Sequence, residues 1–217
     1  MSLSRAIAFV CLLTLLFASA SAAGDNPQRK AENLLAQADR RLAALRDFKA
    51  ELRARARLSL LPAIELTGHM YFKRPNHLKL EFDHLPSMLS RVQQQLQAAP
   101  PYRDPGYTPR WLRTETINGL ACEVIELRAK NQERRLQVAT IWLDPATGTP
   151  PRTDFDYLDG SRASISTRYD KVSSFLLPQT SEVELRTTLV GVRATVTYRD
   201  YVLNSNLPDS LFKRQPQ

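Results

Sequence analysis

Residues that commonly carry catalytic chemistry are few in this 217-residue chain, and their spacing forms no catalytic or metal-binding motif. The histidines are His69, His77 and His84. Strand alternation puts His84 and its neighbour Asp83 on opposite faces, so this pair does not make a metal site. Cys122 lies in an apolar stretch and is interpreted as a buried side chain, not as a nucleophile. Because there is also no G-x-S-x-G, glycine-rich or C-x-x-C motif, the sequence predicts a protein that is not an enzyme and has no metal and no cofactor.

The pattern that does indicate binding chemistry is apolar. One face of the first predicted strand carries the small residues Ala50, Ala54 and Ala56, which leave volume beside that face. Neighbouring segments supply large or flexible apolar side chains, and together they predict a cavity suited to an acyl chain. The expected lining comprises Phe48, Leu52, Leu66, Met70, Phe72, Leu78, Leu80, Phe82, Met88, Leu89, Val92 and Trp142. The alternative is that helix side chains fill this volume as ordinary core.

The elements that position these residues follow from hydrophobic periodicity. Asn26-Pro27 predicts a helix start, and apolar residues then recur with helical spacing to about Arg46. The period changes to two from Phe48, which predicts three one-sided strands over about 48–60, 64–73 and 78–83. Short turns between these strands indicate an antiparallel meander.

The rest of the chain is predicted to be rich in strands. Helical spacing within 85–98 predicts a second, short amphipathic helix, and four prolines within 100–109 predict an irregular loop. Further strands are expected at about 110–116, 120–129, 134–144, 151–158, 161–171, 181–190 and 192–203. The sequence therefore predicts an α+β fold, in which a strongly curled antiparallel sheet of about ten strands is covered by two or three short helices.

The first residues have the layout of a secretory signal peptide. Arg5 precedes the apolar run Ala6–Ala18, and small residues follow it. We expect residues 1–22 to be removed, with cleavage after Ala20 as a near alternative and an uncleaved anchor as the other interpretation. Export predicts a periplasmic location. The formal net charge of +8 suits contact with anionic membranes or acidic proteins, although a merely solvated surface explains it as well.

Several segments resemble the periplasmic outer-membrane lipoprotein carrier family (LolA-like, lipoprotein-sorting proteins). They are Phe48–Glu51, Gly68–Asn76 with its Lys-Arg-Pro-Asn turn, Leu78–Phe82, and the closing stretches 198–204 and 207–212. The resemblance implies an unclosed antiparallel β-barrel capped by helices, with an apolar cavity for acyl chains. It departs from the family pattern after Phe82, where the short helix and the Pro-rich loop stand.

These observations together predict one half-barrel domain over 23–217, in which 86–109 forms a lid helix and a Pro-rich loop inserted into the sheet. The expected function is that of a non-enzymatic periplasmic carrier of lipid or lipoprotein acyl chains. The alternative is a periplasmic sensor or adaptor on the same fold that binds a protein partner. We expect a monomer that contacts inner- or outer-membrane components transiently and does not bind nucleic acid.

Overall fold

Ten strands and one α-helix account for most of the part of the chain that the computed structural model describes, residues 26–58, 62–75, 77–86, 104–187 and 191–212. The elements in chain order are α1 (Pro27–Arg41), β1 (Asp47–Leu58), β2 (Ile64–Lys73), β3 (His77–Phe82), β4 (Tyr107–Ile117), β5 (Leu120–Ala129), β6 (Leu136–Leu143), β7 (Arg152–Tyr157), β8 (Arg162–Val172), β9 (Phe175–Arg186), β10 (Gly191–Leu203) and a 3₁₀ turn (Asp209–Phe212). Within these ranges no helix is long and apolar enough to cross a membrane.

The strands form one sheet in the order β3-β2-β1-β10-β9-β8-β7-β6-β5-β4. All neighbouring strands are antiparallel. The consecutive strands β3 and β4 lie at opposite edges, so the sheet does not close. The main core nevertheless joins α1 to side chains from both halves of the sheet, including Leu66 of β2 and Tyr107 of β4. The sheet therefore curls around α1, which confirms the predicted open, antiparallel half-barrel.

Helix α1 begins where the sequence predicts. The Asn26 side chain accepts a hydrogen bond from the Gln28 backbone N–H at 3.0 Å, and proline occupies the first helical position. Ala31, Leu35 and Ala38 form the buried stripe of the helix. We call the face of the sheet that packs on this stripe the concave face and the opposite one the convex face.

Helix α1 and strand β9 have boundaries that differ from the sequence prediction. Helix α1 ends at Arg41, before the predicted Arg46. Strand β9 begins at Phe175, before the predicted start at 181, although Pro178 weakens a strand assignment from sequence. The sheet accommodates this proline at a register shift between Arg168 and Tyr169 of β8. The predicted second helix lies almost wholly in residues 87–103, outside the described residues, so the described part holds one α-helix where two or three were predicted.

A buried carboxylate joins the first strand to the end of the last. Asp47 is only 2% exposed. Its side chain accepts hydrogen bonds from the backbone N–H of Ser205 at 2.8 Å and of Asn206 at 3.1 Å. The backbone N–H of Asn204 donates to the Asp47 carbonyl at 2.8 Å. This clamp satisfies the buried charge and holds the chain that follows β10 against the start of β1.

Asp47→Ala is expected to lower the free energy of unfolding by about 3 kcal/mol, because it leaves the backbone donors of Ser205 and Asn206 without their charged acceptor. Asp156→Ala is the matched control: its ion pair with Arg162 joins two side chains that are 51% and 78% exposed, and its loss should cost less than about 1 kcal/mol. Urea denaturation of both variants measures the difference, and equal losses would show that the clamp is unimportant.

Gly68 allows β3 to approach β2 closely. A Cβ atom at this position would collide with the Glu81 carbonyl oxygen and lie 2.8 Å from the Phe82 Cα. We expect Gly68→Ala to cost roughly 2 kcal/mol and to speed amide hydrogen exchange in β3. In the control variant Gly119→Ala, the new Cβ has open space, and only the positive φ of 81° is unfavourable. Gly119→Ala should therefore leave exchange in β3 unchanged, and unaltered β3 exchange in Gly68→Ala would refute the argument.

Candidate functional site

Three cross-strand rows of apolar side chains lie on the concave face at the β3 edge. The pairing of β1 with β2 and of β2 with β3 places directly opposite residues on the same face. The rows are Phe48–Phe72–Leu78, Ala50–Met70–Leu80 and Leu52–Gly68–Phe82. Leu66 extends the same face and belongs to the main core. The structure thus brings together all eight predicted cavity residues of the first three strands.

The exposure of these rows rises toward the sheet edge. Phe48 and Leu52 on β1 are buried, at 4% and 2% exposure. Met70 and Phe72 on β2 are half-buried. Leu78 on the edge strand is 36% exposed. Helix α1 lies toward β4 and does not cover this edge, so the described residues leave an apolar surface partly open to solvent.

Aromatic contacts hold the buried end of this surface in place. The ring of Phe48 stacks on Phe72 at a centroid distance of 5.3 Å and meets Tyr201 edge-on at 5.4 Å. The Tyr201 hydroxyl donates to the Pro178 carbonyl at 2.6 Å. Burial raises the pKa of Tyr201, so this hydroxyl stays a neutral donor. With Leu177, these rings form a second apolar cluster beyond the C-terminal end of α1.

The small residues of β1 divide between two environments. Ala54 and Ala56 belong to the main core together with Leu35 of α1, so the space beside them is packed as ordinary core. Ala50 lies in the second cluster with Met70, which is only partly buried. The alternative of a helix-filled core therefore applies to the middle of β1, and the open apolar surface is confined to the end near Phe48.

Trp142 does not belong to this surface, contrary to the sequence prediction. It packs with Cys122 and Val124 on the convex face, whereas its neighbour Ile141 points into the main core. The reason is that Ile141, Trp142 and Leu143 are all buried, so the run of apolar residues conceals which face each one occupies. The Arg152 guanidinium covers the Trp142 ring at 4.7 Å. Burial raises the pKa of Cys122, which favours the unreactive thiol.

Most of the predicted lid lies outside the described residues. Met88, Leu89 and Val92 lie outside the described residues, so their place in the lining stays a prediction. The end of the predicted loop differs from expectation, because Tyr107–Pro109 already belongs to β4. Proline is tolerated there because β4 is an edge strand. The ion pair between Asp104 and Arg134, at 2.7 Å, holds the residues that directly precede β4.

A cleft of about 360 Å³, which the sequence did not predict, lies between α1 and the start of β4. Its lining mixes apolar side chains such as Leu35 and Leu127 with polar ones such as Glu32 and Lys130, and includes none of the predicted cavity residues. No sequence signal marks it, since it arises only where the helix crosses the edge strand. Across the described ranges, no group of three or more His, Cys, Asp or Glu side chains is placed to hold a metal ion.

The fold is shared with solved structures of low sequence identity. A DUF1329 family protein from Desulfovibrio piger has a TM-score of 0.68 and 12% identity, over 87% of this chain and 98% of that one. An outer membrane lipoprotein-sorting protein domain from Vibrio parahaemolyticus has a TM-score of 0.61 and 16% identity, over 84% and 97%. A LolA superfamily protein from Nitrosomonas europaea has a TM-score of 0.58 and 17% identity, over 85% and 97%.

These similarities show the fold and confirm the LolA-like architecture inferred from the sequence resemblance. A search of curated proteins found no match. A family model described as "Uncharacterized protein" matches residues 103–216, from the approach to β4 to the C-terminal tail. Because this match spans more than half of the sequence, the chain belongs to that family, and its fold is that of the LolA-like half-barrels.

Proposed function

We propose that this protein is a non-enzymatic periplasmic carrier that binds lipid or lipoprotein acyl chains on the rows formed by β1, β2 and β3. The observation that carries the proposal is the half-exposed apolar surface that α1 leaves at the sheet edge, where Leu78 is 36% exposed. An acyl chain seated there gains about 0.8 kcal/mol for each buried CH₂ group.

The chemistry of this surface favours a hydrocarbon ligand. The inward positions of the rows hold only aliphatic, aromatic and glycine residues. They offer no side-chain donor or acceptor that would fix the orientation of a polar molecule, and apolar burial is non-directional. The surface thus suits chains that differ in headgroup but share a hydrocarbon tail.

The described start of the segment after β3 lies close to the rows. Leu85 packs against the main core, as does Phe82 at the end of the rows. Met88, Leu89 and Val92 lie outside the described residues; from the helical spacing in the sequence we propose that they cover a bound chain.

The proposed location rests on the signal-peptide pattern of residues 1–22 and on the expected export of the chain. The solved outer membrane lipoprotein-sorting domain has the same fold, which supports a role of this kind without defining the cargo. We expect the carrier to act as a monomer and to contact membrane components transiently during loading and release.

Leu78→Asp is expected to weaken binding of a fluorescent fatty acid at least tenfold, because it removes apolar contact and puts a charge beside the chain. Leu120→Asp is the matched control, since Leu120 is also an exposed leucine, 46% accessible, but lies in the β4–β5 hairpin. It should bind like the parent protein. Equal affinities of the two variants in a fluorescence titration would contradict the proposed site.

Affinity should also rise with the length of the acyl chain. Each added methylene is expected to tighten binding roughly fourfold until the surface is filled. Isothermal titration with a series of saturated fatty acids measures this slope, and native mass spectrometry after gentle purification tests for retained lipid. A flat dependence on length, with no lipid retained, would instead favour the sensor or adaptor function, in which the same apolar surface receives a protein segment.

A further inference from the structure

We propose that the convex face of β1 and β10 docks the protein on anionic lipid headgroups through a row of arginines. This face lies on the opposite side of the sheet from the apolar rows. The proposal concerns contact with a membrane surface and does not require that the concave face bind an acyl chain.

The row follows directly from the two-residue period of β1. Arg53, Arg55 and Arg57 alternate with the buried Ala54 and Ala56, and all three are exposed. Successive outward positions on a strand are about 6.6 Å apart. The three guanidinium groups therefore form one row along β1 on the convex face.

The adjacent strand adds a fourth cation. Arg193 of β10 lies directly opposite Arg57 in the register. Like charges in directly opposite positions destabilise a sheet. Both residues are exposed, and Arg193 also pairs with Glu184, so within the described residues Arg57 is the member of this pair without an ion pair.

Four acidic residues lie on the same face near the row, and within the described residues none of them forms an ion pair with Arg53, Arg55 or Arg57: Glu51, Glu65, Glu182 and Glu184. Glu65 lies opposite Arg55 but forms no ion pair with it within the described ranges. Glu184 is shared between Arg186 and Arg193, at 3.0 and 3.2 Å. In the part of the chain that the structure describes, no hydrogen bond or ion pair engages the Arg53, Arg55 or Arg57 side chains, which leaves their planar donors available for phosphate oxygens.

The surroundings of the row favour a membrane over a protein partner. The outward residues that flank it are Glu65 and Thr67 on β2 and Arg193, Thr195 and Thr197 on β10. Specific protein interfaces depend on apolar or aromatic anchors at their centre, and the residues directly flanking the three arginines include none. A surface that binds through charge alone suits a layer of phosphate headgroups.

The far end of the same face has a composition typical of a membrane interface. Lys49 and Lys79 each place Nζ 5.9 Å from the centroid of the Tyr71 ring. Val202, paired with Lys49, is 52% exposed. Glu81 tempers this positive charge through its ion pair with Lys79 at 3.5 Å. An amphipathic tyrosine between lysines can enter the headgroup region while the arginines bind phosphate.

The test is co-sedimentation with vesicles of phosphatidylcholine alone and of phosphatidylcholine mixed with phosphatidylglycerol. The parent protein is expected to bind only the anionic vesicles, and less tightly as salt is added. The triple variant Arg53→Gln, Arg55→Gln, Arg57→Gln should bind them at least 20-fold more weakly, since each basic residue near such a surface contributes roughly fivefold. Thermal unfolding checks that the variant stays folded.

The matched control is Arg29→Gln, Arg40→Gln, Arg110→Gln, which removes the same charge from exposed positions on α1 and β4. It should lose no more than a few-fold in affinity. Equal binding by the two triple variants, or binding of the parent protein to neutral vesicles, would overturn the proposal. So would competition by soluble polyglutamate at equal charge concentration, which would indicate an acidic protein partner. Leu78→Asp should dock normally even where it fails to bind fatty acid, so the two proposals fail separately.

Discussion

The structure depends on one constraint: a wide, one-sided sheet must bury its apolar face, and the described residues provide one α-helix to do so. The 15 residues of α1 span about 22 Å. Ten strands spaced about 4.8 Å apart span roughly 45 Å before the sheet curls. Curling brings the middle of β1 and the strands β4 to β7 into one core with α1, in which Ala54 and Ala56 take part. The described residues cover the rows near β3 only in part, and this is the surface proposed to bind an acyl chain.

Keeping that surface open requires the surrounding backbone to be firm. β1 and β10, the first and last strands in sequence, lie side by side as the third and fourth strands from the β3 edge of the sheet. The Asp47 clamp secures this long-range pairing with charge-assisted hydrogen bonds in a buried setting. Gly68 then lets the edge strand approach β2 without a side chain in the way. These two residues support the rows without themselves contributing an apolar side chain.

The same period of two gives the two faces different chemistry. Concave positions on β1, such as Leu52, contribute to burial, whereas convex positions, such as Arg55, contribute charge. A protein that takes up hydrocarbon on one face and meets headgroups with the other can approach a membrane without burying its binding surface against it. Acyl-chain binding and membrane docking, the two proposed functions, can therefore be separated by mutation, because they depend on side chains on opposite faces of the sheet.

The sequence by itself determined the strand-rich α+β class, the start of α1 and the shared face of β1, β2 and β3, because periodicity and short turns are local properties. It did not determine which face Trp142 occupies, because an unbroken apolar run satisfies both sides of a sheet. Nor did it show that Ala54 shares one core with α1, or that Pro178 lies within a strand. Those outcomes depend on pairings between residues far apart in sequence, where the packing of the whole sheet outweighs local preference.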